Sequence, residues 1–210
     1  MTVESDESFG DVTPDAARRL LLGAVEAFAE RGFHATTTRD IAGRAGMSPA
    51  ALYIHYKTKE ELLHQISRVG HESSVRVLEE ATSGDRTAAE RLASAVRAFT
   101  RWHAEHHTTA RVVQYELAAL SEPHLAEIVT LRRRSEEILR GVLRDGTETG
   151  EFAVTDLRGT TLAMMSLCID VARWFSPDGR KSPDELGVLY AELALRMAGH
   201  APSEVTSSSG

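Results

Sequence analysis

The feature that most restricts the fold of this chain is a crowded run of helix starts and stops between Arg31 and Leu63, reading RGFHATTTRDIAGRAGMSPAALYIHYKTKEELL. Gly32 supplies the reversed turn that ends a helix. Thr37 then caps a short segment, about Thr38 to Ala45, whose Ile41, Ala42 and Ala45 share an inward face. Gly46 turns the chain. Ser48-Pro49 at once starts another short helix, about Pro49 to Ile54, with the serine as cap and the proline at the first helical position. Thr58-Lys59-Glu60-Glu61 has the pattern of a capping box and opens a long helix to about Ala81. Two short helices joined by a glycine-bearing turn and braced by longer ones make a helix-turn-helix, a geometry that lays its second short helix in a DNA groove.

The rest of the chain is helical in pattern. Thr13-Pro14 opens the first helix, the threonine as N-cap and the proline at the first helical position, with Leu20, Leu21, Ala24, Val25 and Phe28 along one stripe. After the break at Ser83-Gly84-Asp85, helices are predicted at about Arg86 to His106, Ala110 to Leu120, Pro123 to Asp145, Thr155 to Phe175 and Pro183 to Gly199. No turn-bounded alternating run competes for a strand. The expectation is an all-α fold with a helix-turn-helix head over 12–57 and a helical body over 58–200, flanked by polar, frayed ends at 1–11 and 201–210.

A net charge of −7 looks unsuited to a nucleic-acid binder. From Arg31 to His64, however, five lysines and arginines stand against three acids, so positive charge is concentrated where a duplex would lie. The first residues, MTVESDESFGDV, lack the basic start and apolar centre of an export signal. The densest apolar stretch, Thr160 to Phe175, contains Asp170 and Arg173 and falls short of the roughly 18 apolar residues of a spanning helix. The single cysteine, Cys168, has no partner for an intrachain disulfide. A cytoplasmic protein with no membrane partner is expected.

The Arg31 to Leu63 run closely resembles the DNA-binding head of the TetR/AcrR family of bacterial regulators, through Gly32-Phe33, Thr37-Thr38-Arg39, Ile41-Ala42, Ala45-Gly46, Ser48, Leu52-Tyr53, His55-Tyr56 and Thr58-Lys59-Glu60. The resemblance implies a TetR-like fold, a head followed by a ligand-binding and dimerisation body, and a homodimer on double-stranded operator DNA. It places Thr38, Tyr53, His55 and Lys59 against phosphates, with Thr37, Ser48 and Lys57 in the same DNA-facing set. Arg39 is the one residue of the reader able to fork onto guanine O6 and N7. Pro49, Ala50 and Ala51 offer only small apolar surfaces to base edges, which favours readout of DNA shape. Tyr56 is expected to pack inside the head.

In the body, Thr160 to Phe175 is apolar nearly all round and needs two partners, its own core and a symmetry mate. Leu162, Met165 and Ile169, with Leu186, Leu189, Leu193 and Met197 of the last helix, are the expected dimer residues. Trp102, His103, His106, Tyr115, Met164 and Cys168 are the candidate lining of an effector pocket, for a hydrophobic or acyl-type small molecule. Met164, Met165 and Trp174 also fit plain core, and Arg132-Arg133-Arg134 fits a solvated face or an anion site. His103 with His106 or His107 has metal-pair spacing without a third ligand, so no metal and no cofactor are expected.

The sequence therefore points to a repressor that binds a palindromic operator as a dimer and is released by a small molecule. Two alternatives remain: a dimeric DNA-binding module without an effector, and a helical metal-dependent enzyme. The second lacks a nucleophile elbow, a phosphate-binding glycine loop and a paired metal motif.

Overall fold

A computed structural model describes residues 9–200. The predicted fraying of residues 1–8 and 201–210 lies outside the described residues. Phe9, assigned to the polar tail by the sequence pattern, is fully buried in the head core, because the chain turns back there with Val12 N–H donating to Phe9 O at 3.1 Å.

The described residues form helices and no strand: α1 (Asp15–Ala35), α2 (Thr38–Arg44), α3 (Pro49–His55), α4 (Lys59–Thr82), α5 (Ala88–Glu105), α6 (His107–Glu116), a 3-10 turn (Leu117–Ala119), α7 (Glu122–Glu148), α8 (Leu157–Trp174) and α9 (Pro183–Met197). Reciprocal capping boxes start α2 (Thr37 with Asp40), α5 (Thr87 with Glu90) and α9 (Ser182 with Glu185). Two caps differ from expectation. Thr13 caps nothing, since α1 begins at Asp15 with Pro14 in the cap position. At α4 the Thr58 side chain accepts from Glu61 N–H, but the Glu61 carboxylate turns to the Lys57 N–H at 2.7 Å instead of completing the box.

Two cores follow from the apolar stripes. The head core joins Leu20, Leu21, Phe28, Ile41, Leu52 and Leu62 with Val112, Val113 and Ile128 of α6 and α7, so the head is packed directly on the lower body. The upper core joins Leu92 and Phe99 of α5, Leu139 and Leu143 of α7, and Met164 and Cys168 of α8. Helix α9 lies close along α5: a Cβ on Gly187 would sit 2.8 Å from the Arg97 carbonyl oxygen, so only glycine permits this approach. Helix α4 runs from the head to the upper core, and among the described residues no helix is long and apolar enough to cross a membrane.

Candidate functional site

The head is built from local signals. Gly32, with φ 77°, breaks α1 so that Phe33 folds under it, and Gly46, with φ 66°, makes the turn between α2 and α3. Thr37 and Asp40 lock the start of α2: the Asp40 carboxylate accepts from Thr37 N–H at 2.9 Å and its hydroxyl at 2.6 Å. These hydrogen bonds hold the Asp40 carboxyl below its usual range. Ser48 caps α3, its Oγ accepting from Ala51 N–H at 3.2 Å. The hydroxyls of Thr38 and Tyr53 meet at 3.1 Å and tie the start of α2 to α3.

On this frame Arg39, Lys57, Pro49, Ala50 and Tyr53 are exposed, while Thr38, Ala51 and His55 are partly so. Arg31 pairs with Glu30 and Asp40, and Arg44 with Glu26 and Glu30. Arg39 and Lys57 form no ion pair among the described residues, which leaves their charges facing outward. Ile54 is 79% exposed on α3, one turn beyond Ala50. Sequence reasoning missed it, although an isoleucine off the inward stripe of a three-helix head is a visible signal. Tyr56 packs against the head core, where burial pushes its phenol up to about 12.

Lys59, expected against a phosphate, is engaged within the chain. Its Nζ donates to the carbonyls of Phe33 at 2.6 Å, Thr36 at 2.9 Å and His34 at 3.3 Å, and lies 4.3 Å from the Phe33 ring centroid. All three ammonium protons therefore serve the broken end of α1. Glu116, the last residue of α6, reaches the same bend, its Oε1 accepting from Phe33 N–H at 3.1 Å. Nearby, α4 meets α7 through Glu60, which accepts from Ser121 N–H at 2.8 Å and pairs with His124 Nδ1 at 2.8 Å. His64 pairs with Glu127 at 2.8 Å and stacks flat on His124, ring centroids 3.7 Å apart. The head thus touches α6 through Glu116, and the start of α4 just behind it is tied to α7 through Glu60 and His64.

A cavity of about 320 Å³ lies in the body between α4, α5, α6, α7 and α8. Trp102 and His103 line it as expected of pocket residues. The other candidates are not in its lining: Tyr115 is 60% exposed, Met164 and Cys168 are in the upper core, and the His106 ring packs against Trp102, centroids 4.9 Å apart. Burial pushes the Cys168 thiol up to about 11. The missed lining includes His71, Val113, Gln114, Arg132 and Arg133. Arg134 turns to Glu79 at 2.9 Å, whereas Arg132 and Arg133, both exposed at the cavity, form no ion pair among the described residues.

The expected dimer residues separate in the same way. Leu186 is buried against Ala104 and Val171, Met165 is buried at the cavity, and Leu162 and Ile169 also line it. Leu189 is half-buried, while Leu193 and Met197 are exposed beside Leu167, along a shallow seam between α8 and α9. Leu167 and Trp174, absent from the expected set, are exposed on α8. Helix periodicity marks both flanks of α8 as apolar but cannot say which of them faces the cavity. Among the described residues no three His, Cys, Asp or Glu side chains are grouped to hold a metal ion.

Residues 15–66 match the model of bacterial regulatory proteins of the tetR family, and residues 85–198 match the tetracyclin repressor-like C-terminal domain. The chain belongs to the tetR family and is a DNA-binding transcriptional regulator. It is similar to a tetR-family regulatory protein from Rhodococcus RHA1, whose crystal structure superposes with a TM-score of 0.86 at 44% identity, over 90% of this chain and 100% of that one. The HTH-type transcriptional repressor KstR2 of Mycolicibacterium smegmatis is 30% identical over 199 residues, 86% of this chain and 90% of its own. AibR, solved in complex with isovaleryl coenzyme A and operator DNA, shares the fold at 20% identity and a TM-score of 0.78, over 89% of this chain and 100% of its own.

Proposed function

We propose that the protein is a homodimeric repressor whose two heads read an inverted-repeat operator and whose body cavity takes an acyl thioester that releases the DNA. The observation that carries this reading is the cavity itself: about 320 Å³, its exposed surface mainly apolar, with the guanidiniums of Arg132 and Arg133, which form no ion pair among the described residues, at its wall. An apolar interior next to two free cations suits an amphiphile with an anionic head, and coenzyme A thioesters have that form. AibR, of the same fold, supports the class through its complex with isovaleryl coenzyme A.

In the head, Arg39 reads a base edge, Tyr53, Thr38, His55 and Lys57 face phosphates, and Ile54 with Pro49, Ala50 and Ala51 supplies apolar contact in the groove. Thr37, Ser48 and Lys59 keep these elements in register. A second copy covers Leu167, Leu193 and Met197 on α8 and α9, which sets the two heads about one helical turn of DNA apart. The protein acts in the cytoplasm, where its operator is. The reading is tested by sequencing the DNA that the purified protein selects from a random pool. An inverted repeat with half-sites about 10 base pairs apart is expected; the absence of any enriched repeat refutes it.

A further inference from the structure

Two histidines bring hydrogen-bond acceptors to the cavity wall. His71 on α4 and His103 on α5 both line it. His71 Nδ1 lies 2.7 Å from the Ser67 carbonyl oxygen, and His103 Nδ1 lies 2.8 Å from that of Phe99. A carbonyl oxygen only accepts, so each Nδ1 carries the proton and each neutral ring keeps a lone pair on Nε2. Both Nδ1 atoms are tied to backbone of their own helix, four residues earlier, so the opposite ring edge points off the helix toward the space both residues line. No hydrogen bond to either Nε2 is formed among the described residues. Burial holds both rings neutral, each pushed down to about 4, with the charge of Arg132 adding to the effect at His71.

Three neutral donors of the wall are committed elsewhere. Ser74 Oγ donates to His71 O at 2.9 Å, Ser135 Oγ faces Leu131 O at 3.5 Å, and Gln114 Nε2 donates to Ile169 O at 3.2 Å. His103 is buried and wedged edge-on between Phe99 and Trp102, with ring centroids 4.4 and 4.9 Å away, so it cannot swing to find a donor of its own. A saturated hydrocarbon filling this space would strip water from two fixed acceptors and leave them unpaired, and a ketone oxygen would set lone pair against lone pair.

We propose that the buried part of the effector carries a hydroxyl, donated to His103 Nε2, with His71 Nε2 taking a second hydroxyl or a retained water. The inference rests on the cavity being the effector site and narrows the ligand to a hydroxylated acyl chain or ring. His71 and His103 are then specificity-determining residues, one on α4 and one on α5.

The test is calorimetric titration of the full chain with 2-decalol and 2-decalone, an uncharged pair of matched shape, beside operator release by 3-hydroxyoctanoyl-CoA. Decalol should bind at least about ten-fold tighter than decalone, a difference equivalent to about 1.4 kcal/mol. His103→Phe keeps a ring but removes the lone pair and should bring the ratio close to one. His103→Gln supplies an amide N–H and should restore decalone binding, an outcome that loss of folding cannot mimic. Equal binding of the two compounds by the wild type, or no measurable binding of decalol, overturns the inference. Failure of 3-hydroxyoctanoyl-CoA to release the operator while decalol is still preferred would instead remove the acyl thioester reading and leave the hydroxyl requirement standing.

Discussion

Replacing Lys59 by methionine separates two roles that one residue type can play at the start of α4. Methionine keeps most of the aliphatic stem and deletes the ammonium. Three carbonyls, of Phe33, His34 and Thr36, then lose a charged donor, and Phe33 loses its cation–π partner. A hydrogen bond to a charged group contributes about 1.5–3 kcal/mol when well formed, and an exposed cation–π contact about 0.5–1 kcal/mol. Only two of the three bonds are short, one ammonium is shared among them, and water can reach the half-buried site. The expected loss is therefore about 2–3 kcal/mol of stability. Urea unfolding at fixed protein concentration reads it, since dimer formation makes the midpoint concentration-dependent. The salt dependence of operator binding should keep its slope, because the ammonium is already occupied inside the chain. A phosphate contact would behave in the opposite way, with unchanged unfolding and a slope lower by about one per head. That pattern would refute the assignment.

Three further outcomes are expected. Arg39→Ala should relax preference at one base position per half-site and cost about 1–3 kcal/mol of operator affinity, measured by selection from mutated operator pools; an unchanged preference would remove Arg39 from base readout. Leu193→Glu, on the exposed seam with Leu167 and Met197, should give a folded monomer by light scattering with weakened operator binding, whereas a stable dimer would move the interface elsewhere. Acid should destabilise the fold through His71 and His103: the unfolded chain protonates them below the ordinary imidazole value of about 6.5, and the folded chain only near 4. Their contribution is complete above about 6.5 and is lost as pH falls toward 4, by at most about 1.4 kcal/mol per pH unit for each ring. Urea midpoints at pH 7, 6 and 5 should show a shallower decline in His103→Phe; identical declines would show that His103 is not a source of this sensitivity.

Much of the head was legible because its structure is set within a few residues. Thr37, Ser48 and Thr58 each fix a helix start by a side-chain hydrogen bond into its first turn, Gly46 turns the chain through its positive φ, and the sequence spells those ends directly. What Lys59 touches was not legible, since its acceptors come from a backbone bend 23 or more residues earlier. The cavity was read only in part. Helical spacing turns Trp102 and His103 inward, but a period cannot distinguish a packed interior from a void, so Met164 and Cys168 were grouped with residues that line empty space. Arg132 and Arg133 looked like a solvated face because their neighbour across the cavity, His71, lies on another helix. The expected dimer set divides for the same reason: α8 is apolar on two flanks, with Met165 and Ile169 on the cavity side and Leu167 on the seam beside α9.

The claim that the cavity controls the head is tested most directly by measuring the dissociation constant of the selected operator duplex with and without saturating octanoyl-CoA, by fluorescence anisotropy. Glu116 and the Glu60–His124 pair hold the head to helices that also line the cavity, so a ligand preferring the released arrangement by about 1–3 kcal/mol should weaken operator binding roughly 5- to 150-fold. By reciprocity, operator DNA should weaken octanoyl-CoA binding by the same factor. Octanoyl-CoA that binds the cavity yet leaves the operator dissociation constant unchanged would contradict the coupling.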